Sequence, residues 1–323
     1  MKSTDITHVR QMLPETIPFP YYADRESPWL LAQLMARRAR VSDLRNGPAA
    51  KLLARPLVQP LVAGCGGELR QRDVIALAYA QEAIGFQDMS RPARTTLDDV
   101  YGADWLGFTL TFGAWGTDEP AHWAQMSRDG GNLVLQLGFP ADHAEVMGKY
   151  LEPDTRRKFE DSYHPVRLTG APTLAWARLD IDMDQGVALI EEIQCDWLRN
   201  VRDQLRFLED EPERSREARS TRLYDAHLRQ RYGRGWSRAM LLSTLLVLRD
   251  YLGIRDVFMH RFDPGNVLKC MDGDCPPVSL YRDLPKAFCF APTKEAPGFL
   301  ERLRRRDLAI LRQAGPVFWR LQI

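Results

Sequence analysis

The chain has 323 residues, of which 45% are hydrophobic and 27% charged, so it can bury a hydrophobic core typical of a globular protein. Its 44 Lys and Arg residues nearly balance its 43 Asp and Glu residues. The resulting net charge of +1 excludes a uniformly basic protein that binds polyanions in general, and the 10% aromatic content excludes extensive disorder.

The predicted location is cytoplasmic, with no membrane association. The first twenty residues lack the apolar run of a signal peptide, and no stretch approaches 18 consecutive apolar residues. Five cysteines at irregular spacing do not form a disulfide framework, which indicates a reducing compartment. We expect no metal, because the cysteine and histidine spacing does not match a zinc site.

The first hundred residues are predicted to be a mainly helical region. Residues 1–20 carry three prolines and predict an extended arm. Residues 28–42, 49–62 and 70–84 have helical character, and the first of these runs begins with Pro28 at a position that a helix tolerates.

The remaining residues, 101–323, are predicted to form a mixed β-sheet with flanking helices, so the fold class is α+β. Strands are expected at 105–113, 132–139, 173–181, 187–195, 256–260 and 318–321. The pair at 173–181 and 187–195 is separated by a polar turn with a glycine, which predicts a hairpin. The apolar helix predicted at 236–252 precedes the strand at 256–260, and this order implies a parallel crossover. The charged segment 197–229 is an insertion in this domain. Leu198, Val201, Leu205 and Leu208 recur at helical spacing, and residues 209–222 are predicted to be a solvated loop or a frayed helix.

The strand around residue 192 carries polar side chains inside an apolar run. Side chains alternate between the two faces of a strand, so Glu192, Gln194 and Asp196 are predicted to share one face and Glu191 and Ile193 the other. Burying unpaired carboxylates is costly, so they need partners, a ligand or a wet cleft, and such carboxylates are candidate general bases. The alternative is an edge strand with one solvated face.

A glycine-containing turn precedes the helix at 236–252. Glycines allow backbone N–H groups to converge, and the helix N-terminus adds its dipole, so such a turn can hold a phosphate. The alternative is an ordinary loop before a helix. The candidate binding residues are Gln230, Arg231, Gly233, Arg234, Gly235, Trp236 and Ser237.

The segment from Gly233 to His260 resembles the central motif of the GCN5-related N-acetyltransferases, in which a strand, a Q/R-x-x-G-x-G/A turn, a helix and a strand follow one another. Gln230, Gly233 and Gly235 match that turn. The resemblance implies an acetyltransferase-like fold in which the turn binds the pyrophosphate of acetyl-CoA or another acyl-CoA. It also implies that Tyr281, on a late helix, is the general acid, with Glu191 or Glu192 as the base. The 34 residues between Cys195 and Gln230 depart from the family, where the turn follows its strand closely.

Residues 170–290 also resemble a domain of phage and mobile-element polyvalent proteins with an I-E-E-I-Q-S-D-W signature. The chain has Cys195 where that signature has serine. This resemblance accommodates the insertion and implies a bacterial or phage-related origin, but it does not imply a defined activity.

Three functions are compatible with these patterns. The leading hypothesis is acyl-CoA-dependent acyl transfer to a small-molecule or protein amine. The second is a non-catalytic module that binds a protein or nucleic acid, with a phosphate or nucleic-acid contact through the basic segment 301–312. The third is an enzyme that uses the cleft of Glu192, Gln194 and Asp196 without CoA.

Overall fold

The computed structural model describes residues 1–79, 105–117, 119–153, 157–161, 163–167, 170–210, 215–233, 235–271 and 275–323. The domain boundary predicted at residue 100 lies outside the described residues, and so does Arg234 of the predicted phosphate turn.

The chain divides into two compact units. The larger unit comprises Met1–Phe19, Gly107–Pro285 and Ala291–Gln322, and the smaller comprises Pro20–Leu106, Lys286–Phe290 and Ile323. In the smaller unit α2 packs against α5, and the short strands β2 and β3 pair antiparallel.

The elements follow one another in this order. The N-terminal part holds α1 (Ser3–Met12), β1 (Ile17–Tyr22), α2 (Glu26–Leu34), β2 (Arg38–Arg40), α3 (Val41–Leu44), a 3-10 helix (Ala50–Ala54), α4 (Gln59–Gly64), β3 (Glu68–Arg70) and α5 (Gln71–Ala78). The middle part holds β4 (Trp105–Trp115), β5 (Asn132–Gly138), α6 (His143–Tyr150), a 3-10 helix (Arg157–Phe159), β6 (Thr173–Asp182), β7 (Val187–Gln194), α7 (Asp196–Glu209), α8 (Ser215–Arg231) and α9 (Trp236–Leu246) with a π-helical turn (Val247–Tyr251). The C-terminal part holds β8 (Asp256–His260), α10 (Phe262–Leu268), α11 (Val278–Ala287), β9 (Ala291–Thr293), α12 (Gly298–Leu303), α13 (Arg305–Ala314) and β10 (Phe318–Gln322).

Eight of the described strands form one mixed sheet in the order β1-β4-β5-β6-β7-β8-β10-β9. Neighbours from β4 to β7 are antiparallel, β7 and β8 are parallel, and β10 is antiparallel to both β8 and β9. The α+β class with a mixed sheet and flanking helices is therefore confirmed, and so are the predicted hairpin and parallel crossover.

The charged insertion is helical. Along α7 the apolar residues Leu198, Val201, Leu205 and Leu208 recur at helical spacing, and all four are buried. The segment 209–222, expected to be a loop or a frayed helix, contributes the first half of α8. The described part of the crossover from β7 to β8 therefore contains three helices, α7, α8 and α9.

Two local predictions in the N-terminal part are wrong. The run at 28–42 is not one helix, because α2 ends at Leu34 and the strand β2 follows at Arg38–Arg40. Residues 1–20 are not an extended arm, because α1 buries Ile6 and Val9 before β1 joins the sheet.

The helix predicted over 236–252 is confirmed: it is α-helical to Leu246 and continues as the π-helical turn Val247–Tyr251. Gly253 follows in a left-handed conformation (φ +69°), which is typical of the residue that ends a helix.

The core of the larger unit lies on both faces of the sheet. On α9, residues Ala239–Leu242 are fully buried, and this helix packs on β6 and β7. A second apolar cluster joins Leu189 of β7 and Phe258 of β8 to Phe299 and Leu308 of the C-terminal helices. With both faces covered, any polar side chain in the middle of β7 needs a partner.

Within the described part of the chain, no helix has the length and apolarity needed to cross a bilayer.

Candidate functional site

A β-bulge in β7 determines where the two neighbouring glutamates point. Arg178 of β6 pairs with Glu192, but the next residue, Leu179, pairs with Ile190, so Glu191 has no partner of its own on β6. Ile190 and Ile193 therefore lie on one side of the sheet, and both carboxylates lie on the side of Arg178. The prediction that Glu191 shares a face with Ile193 is wrong, because strict alternation fails at a bulge.

Glu191 is sealed in a triangle of hydrogen bonds. Its Oε1 accepts from the Ser127 amide (3.2 Å), and its Oε2 lies 2.8 Å from Ser127 Oγ and 2.9 Å from His260 Nε2. The three residues are fully buried. Burial alone would raise the pKa of Glu191, but the hydrogen bond and charge of His260 and the charge of Lys269 outweigh it and lower the pKa to about 2. Glu191 is thus an ionised, fully hydrogen-bonded structural carboxylate.

Glu192 has two cationic neighbours. Its Oε2 accepts a hydrogen bond from Arg178 and lies 3.7 Å from the Nζ of Lys269. Arg178 is fixed further by donating to the carbonyls of Ala124 (2.6 Å) and Gln125 (3.0 Å). Among the described residues, the hydrogen bond from Arg178 and the ion pair with Lys269 both involve Oε2 of Glu192, which leaves Oε1 for another group.

The charges of this cluster are coupled. Burial would raise the pKa of Glu192, but Lys269 and Arg178 outweigh it and lower the pKa. Burial also lowers the pKa of Lys269, against the opposing charge of Glu192. A lysine that is 1% exposed beside a paired carboxylate is typical of a functional centre or of a structural ion-pair network.

Asp196 is the first residue of α7, and its carboxylate accepts from several donors. Oδ2 accepts from Trp176 Nε1 (2.7 Å) and lies 2.9 Å from His164 Nδ1, while Oδ1 accepts from Gln194 Nε2 and from Arg199 (2.7 Å). Burial would raise the pKa of Asp196, but the hydrogen bonds and charge of His164 lower it, with contributions from Trp176 and Arg199. Asp196 therefore stays ionised and fixes both Gln194 and His164.

His164 connects this carboxylate to solvent. Its Nδ1 also lies 3.2 Å from Asp161 Oδ2, and its ring lies 5.6 Å from that of Trp176. Burial lowers the pKa of His164, but the hydrogen bond and charge of Asp196 and the charge of Asp161 raise it above the usual 6.5. With 29% of its side chain exposed, His164 can exchange a proton with a ligand.

These groups meet at a cleft of about 290 Å³ in the larger unit. Its walls are aromatic, and its polar groups come from β6, β7 and the loops after β4 and before β6. The lining residues are Trp115, Glu119, Trp123, Gln125, Tyr163, His164, Trp176, Arg178, Glu192 and Gln194. Of the predicted polar face, Glu192 and Gln194 line the cleft directly, and Asp196 lies behind His164.

Tyr281 lies on α11 and belongs to the same buried cluster. Its ring centre is 5.7 Å from the Nζ of Lys269. Burial, together with the negative charges of Glu192 and Glu191, raises the pKa of Tyr281 well above its usual value. The side chain is 3% exposed and does not line the cleft, so the structure brings Tyr281 near Glu192 but not to the open surface.

The predicted phosphate turn lies between two helices instead of after a strand. Gln230 and Arg231 end α8, and Trp236 and Ser237 begin α9. The amide of Gly233 donates to the carbonyl of Arg229 (3.2 Å). The amides of Gly235 and Trp236 donate to the carbonyl of Tyr232 (3.0 and 2.9 Å), so these N–H groups are engaged within the turn.

A tight packing contact explains the first glycine of this turn. A Cβ on Gly233 would lie 2.6 Å from the carbonyl oxygen of Arg229. Arg231 points to Asp142, at 2.7 Å, and Tyr232 is buried with its hydroxyl 3.2 Å from His143 Nδ1. Packing thus explains both Gly233 and the aromatic residue Tyr232.

The basic segment 301–312 spans the end of α12 and most of α13. Arg304 pairs with Asp307 at 2.9 Å, and Arg312 pairs with Glu301. These ion pairs neutralise part of the charge on which the predicted nucleic-acid contact depends.

Among the described residues, one group has donor atoms close enough to share a metal ion: Asp161, His164 and Asp196. Arg199 lies 2.7 Å from Asp196 and 3.7 Å from Asp161, so a cation already occupies this carboxylate environment. The geometry therefore gives no reason to place a metal here, and the predicted absence of a metal stays a prediction.

Sequence reasoning missed most of the partners. Arg178 is the partner that the sequence could have indicated, since an arginine inside the apolar strand 173–181 needs a counter-charge. Ser127, His260 and Lys269 come from separate segments, and no local pattern indicates that they converge on β7.

Comparison of the chain with known protein families, with curated proteins and with solved structures gave no match.

Proposed function

We propose that the cleft of His164, Glu192 and Gln194 is the catalytic centre of an enzyme that works by proton transfer and does not use CoA. The observation that carries the proposal is that one cleft holds two ionisable groups whose neighbours move their pKa values in opposite directions. His164 is held next to Asp196 with a raised pKa, and Glu192 is held ionised by Arg178 and Lys269. Neighbouring groups whose pKa values are moved to suit different roles are typical of acid–base catalysis.

Each residue then has a distinct role. His164, protonated in part near neutral pH, donates a proton to the leaving group, and Asp196 stabilises its imidazolium form. Glu192 stays negative and either accepts a hydrogen bond from the attacking group or stabilises positive charge that develops on the substrate. Gln194, held by Asp196, orients the substrate. The fixed hydrogen bonds of Arg178 and Trp176 preorganise the site.

Acyl-CoA-dependent transfer remains a separate prediction that the geometry favours less. Part of the Gly233–Trp236 backbone is hydrogen-bonded within its own turn. The helix that directly follows β7 begins with Asp196, whose negative charge at the helix N-terminus would repel a pyrophosphate. The parallel pair β7–β8 is the feature that an acetyltransferase-like fold would share, and that fold assignment and the cytoplasmic location also remain predictions.

An unbiased consumption assay tests the proposal. The purified protein is incubated with a mixture of small polar metabolites, and mass spectrometry identifies compounds that disappear. We expect at least one compound to be consumed by the wild type but not by His164→Asn or Glu192→Gln. Phe207→Leu, an exposed residue on α7 that does not line the cleft, should keep the activity. The proposal would be contradicted if the two cleft variants consumed the compound as the wild type does, or if the folded wild type consumed no compound.

A calorimetric titration with acetyl-CoA distinguishes the two mechanisms. The proposal predicts no binding. Micromolar binding that Gly235→Glu abolishes, in a protein with an unchanged circular dichroism spectrum, would favour the acyltransferase instead.

A further inference from the structure

The cleft combines aromatic walls with polar and charged side chains. Trp115, Trp123, Trp176 and Tyr163 all line it. Trp123 is 74% exposed and Tyr163 is 87% exposed, although large aromatic side chains normally lose most of their exposure on folding. Exposed rings at the mouth of a polar cleft indicate that a ligand covers them.

The protein already places a cation against two of these rings. The guanidinium carbon of Arg178 lies 5.5 Å from the ring centre of Trp115 and 5.8 Å from that of Trp176. Both distances fall within the range of cation–π attraction, about 6 Å. Among the described residues no cation lies over the rings of Trp123 and Tyr163; the ring of Trp123 lies 5.0 Å from that of His122, and both Trp123 and Tyr163 stay largely exposed to a ligand.

The polar groups of the cleft also suit a cation. Nη1 and Nη2 of Arg178 donate to Glu192 and to the carbonyls of Ala124 and Gln125, and its Nε is buried, so Arg178 is poorly placed to hold an anionic ligand. Glu119, at the exposed mouth, and Oε1 of Glu192 remain as acceptors.

The charge around the cleft is negative when His164 is neutral. Carboxylates in the lining and in contact with it outnumber the lysine and arginine cations there. The carboxylates are those of Glu119, Glu192, Asp161 and Asp196, and the cations are those of Arg178, Lys269 and Arg199.

We infer that the cleft binds an organic cation, an ammonium or guanidinium group, with Trp123 and Tyr163 against the charged head and Glu119 as its counter-charge. The inference rests on the cleft being the functional site proposed above and adds the class of its substrate. A cleft of about 290 Å³ is at the lower end of ligand pockets, which fits a head group or a small amine.

The test uses two probes that differ only in charge. Choline carries a quaternary ammonium, and 3,3-dimethylbutan-1-ol is its neutral counterpart of the same shape. Agmatine serves as the guanidinium probe. Binding is measured by quenching of tryptophan fluorescence and by calorimetry on the full chain.

We expect choline or agmatine to bind, and the neutral alcohol to bind about tenfold more weakly, because it forms neither the cation–π contacts with the two rings nor the ion pair with Glu119. Trp123→Leu and Glu119→Gln should each weaken binding of the cation by several-fold to about tenfold. Phe207→Leu should leave it unchanged. Trp123 and Glu119 are exposed, so these variants are expected to fold.

Two results would overturn the inference: equal binding of choline and the neutral alcohol, or no binding of either cation to the folded protein. Because binding is measured without turnover, the two proposals fail separately. Cation binding without any consumed metabolite keeps this inference and removes the catalytic role. Consumption of neutral compounds, together with equal binding of choline and the neutral alcohol, keeps the catalytic role and removes this inference.

Discussion

Replacing Glu191 by glutamine tests whether this residue has a structural role distinct from that of its neighbour. Glutamine keeps the shape of the side chain but removes the charge that Ser127 and His260 surround. The fall in the pKa of Glu191 from 4.5 to about 2 corresponds to about 3 kcal/mol of folding free energy, at 1.36 kcal/mol per pH unit. We therefore expect Glu191→Gln to lower the free energy of unfolding by about 3 kcal/mol at pH 7.

The sign of the pH dependence follows from the direction of the shift. A carboxylate whose pKa is lower in the folded state contributes stability that is fully present above its unfolded pKa. This contribution is lost as the pH falls through the folded value. The stability of the wild type should thus decline between about pH 4.5 and 2, while that of Glu191→Gln should vary less, so the two approach each other in acid.

Urea unfolding followed by tryptophan fluorescence, at pH 7 and in steps down to pH 3, measures both effects. The control is Glu15→Gln, an exposed carboxylate that should change stability by less than about 0.5 kcal/mol. A loss below 1 kcal/mol for Glu191→Gln at pH 7, or a difference that does not shrink in acid, would refute the structural role.

Three further predictions concern the surroundings of the cleft. The pKa of His164, measured by NMR titration, should lie above 6.5 and fall in Asp196→Asn, and an unchanged value would show that the two side chains do not interact in solution. Trp176→Phe removes the 2.7 Å hydrogen bond to buried Asp196 and should lower the free energy of unfolding by about 1–3 kcal/mol in urea titrations, whereas a neutral effect would show that the bond contributes nothing. Burial raises the pKa of the Cys195 thiol to about 12, so Cys195 should react with a thiol reagent only after unfolding, whereas exposed Cys270 should react in the native protein, as mass mapping of the labelled sites can show.

Local patterns in the sequence were sufficient for elements whose signals lie within one segment. The strands at 105–113, 132–139 and 256–260 and the hairpin around Gly186 were predicted close to their observed bounds. The first two strands carry aromatic or β-branched residues and end close to Gly116 and Pro140, so propensity and tertiary structure agree there.

The predictions failed where tertiary packing outweighs local composition. The prolines of residues 1–20 indicated an extended arm, yet Pro14 follows α1 and Pro18 and Pro20 lie in β1, where proline at a strand near the sheet edge is tolerated. The charge of residues 209–222 indicated a loop or a frayed helix, yet residues 215–222 begin α8, where Ala218 and Thr221 are buried.

The site shows the limit of strand periodicity. Alternation correctly placed Glu192 and Gln194 on one face, but it cannot register an extra residue, so it misplaced Glu191. The bulge is what allows two adjacent carboxylates to lie on the same side of the sheet, each with its own partners.

The difference between those partners is what assigns the roles. Both carboxylate oxygens of Glu191 interact with Ser127 or His260, and its side chain is fully buried. A ligand therefore cannot reach Glu191 without breaking the core. Glu192 borders the cleft with its recorded contacts confined to one oxygen. Its charge is held by Lys269, which comes from a loop 77 positions further along the chain. Two identical neighbouring residues thus become one buried structural carboxylate and one carboxylate at the cleft, because their long-range contacts, which local sequence does not encode, differ.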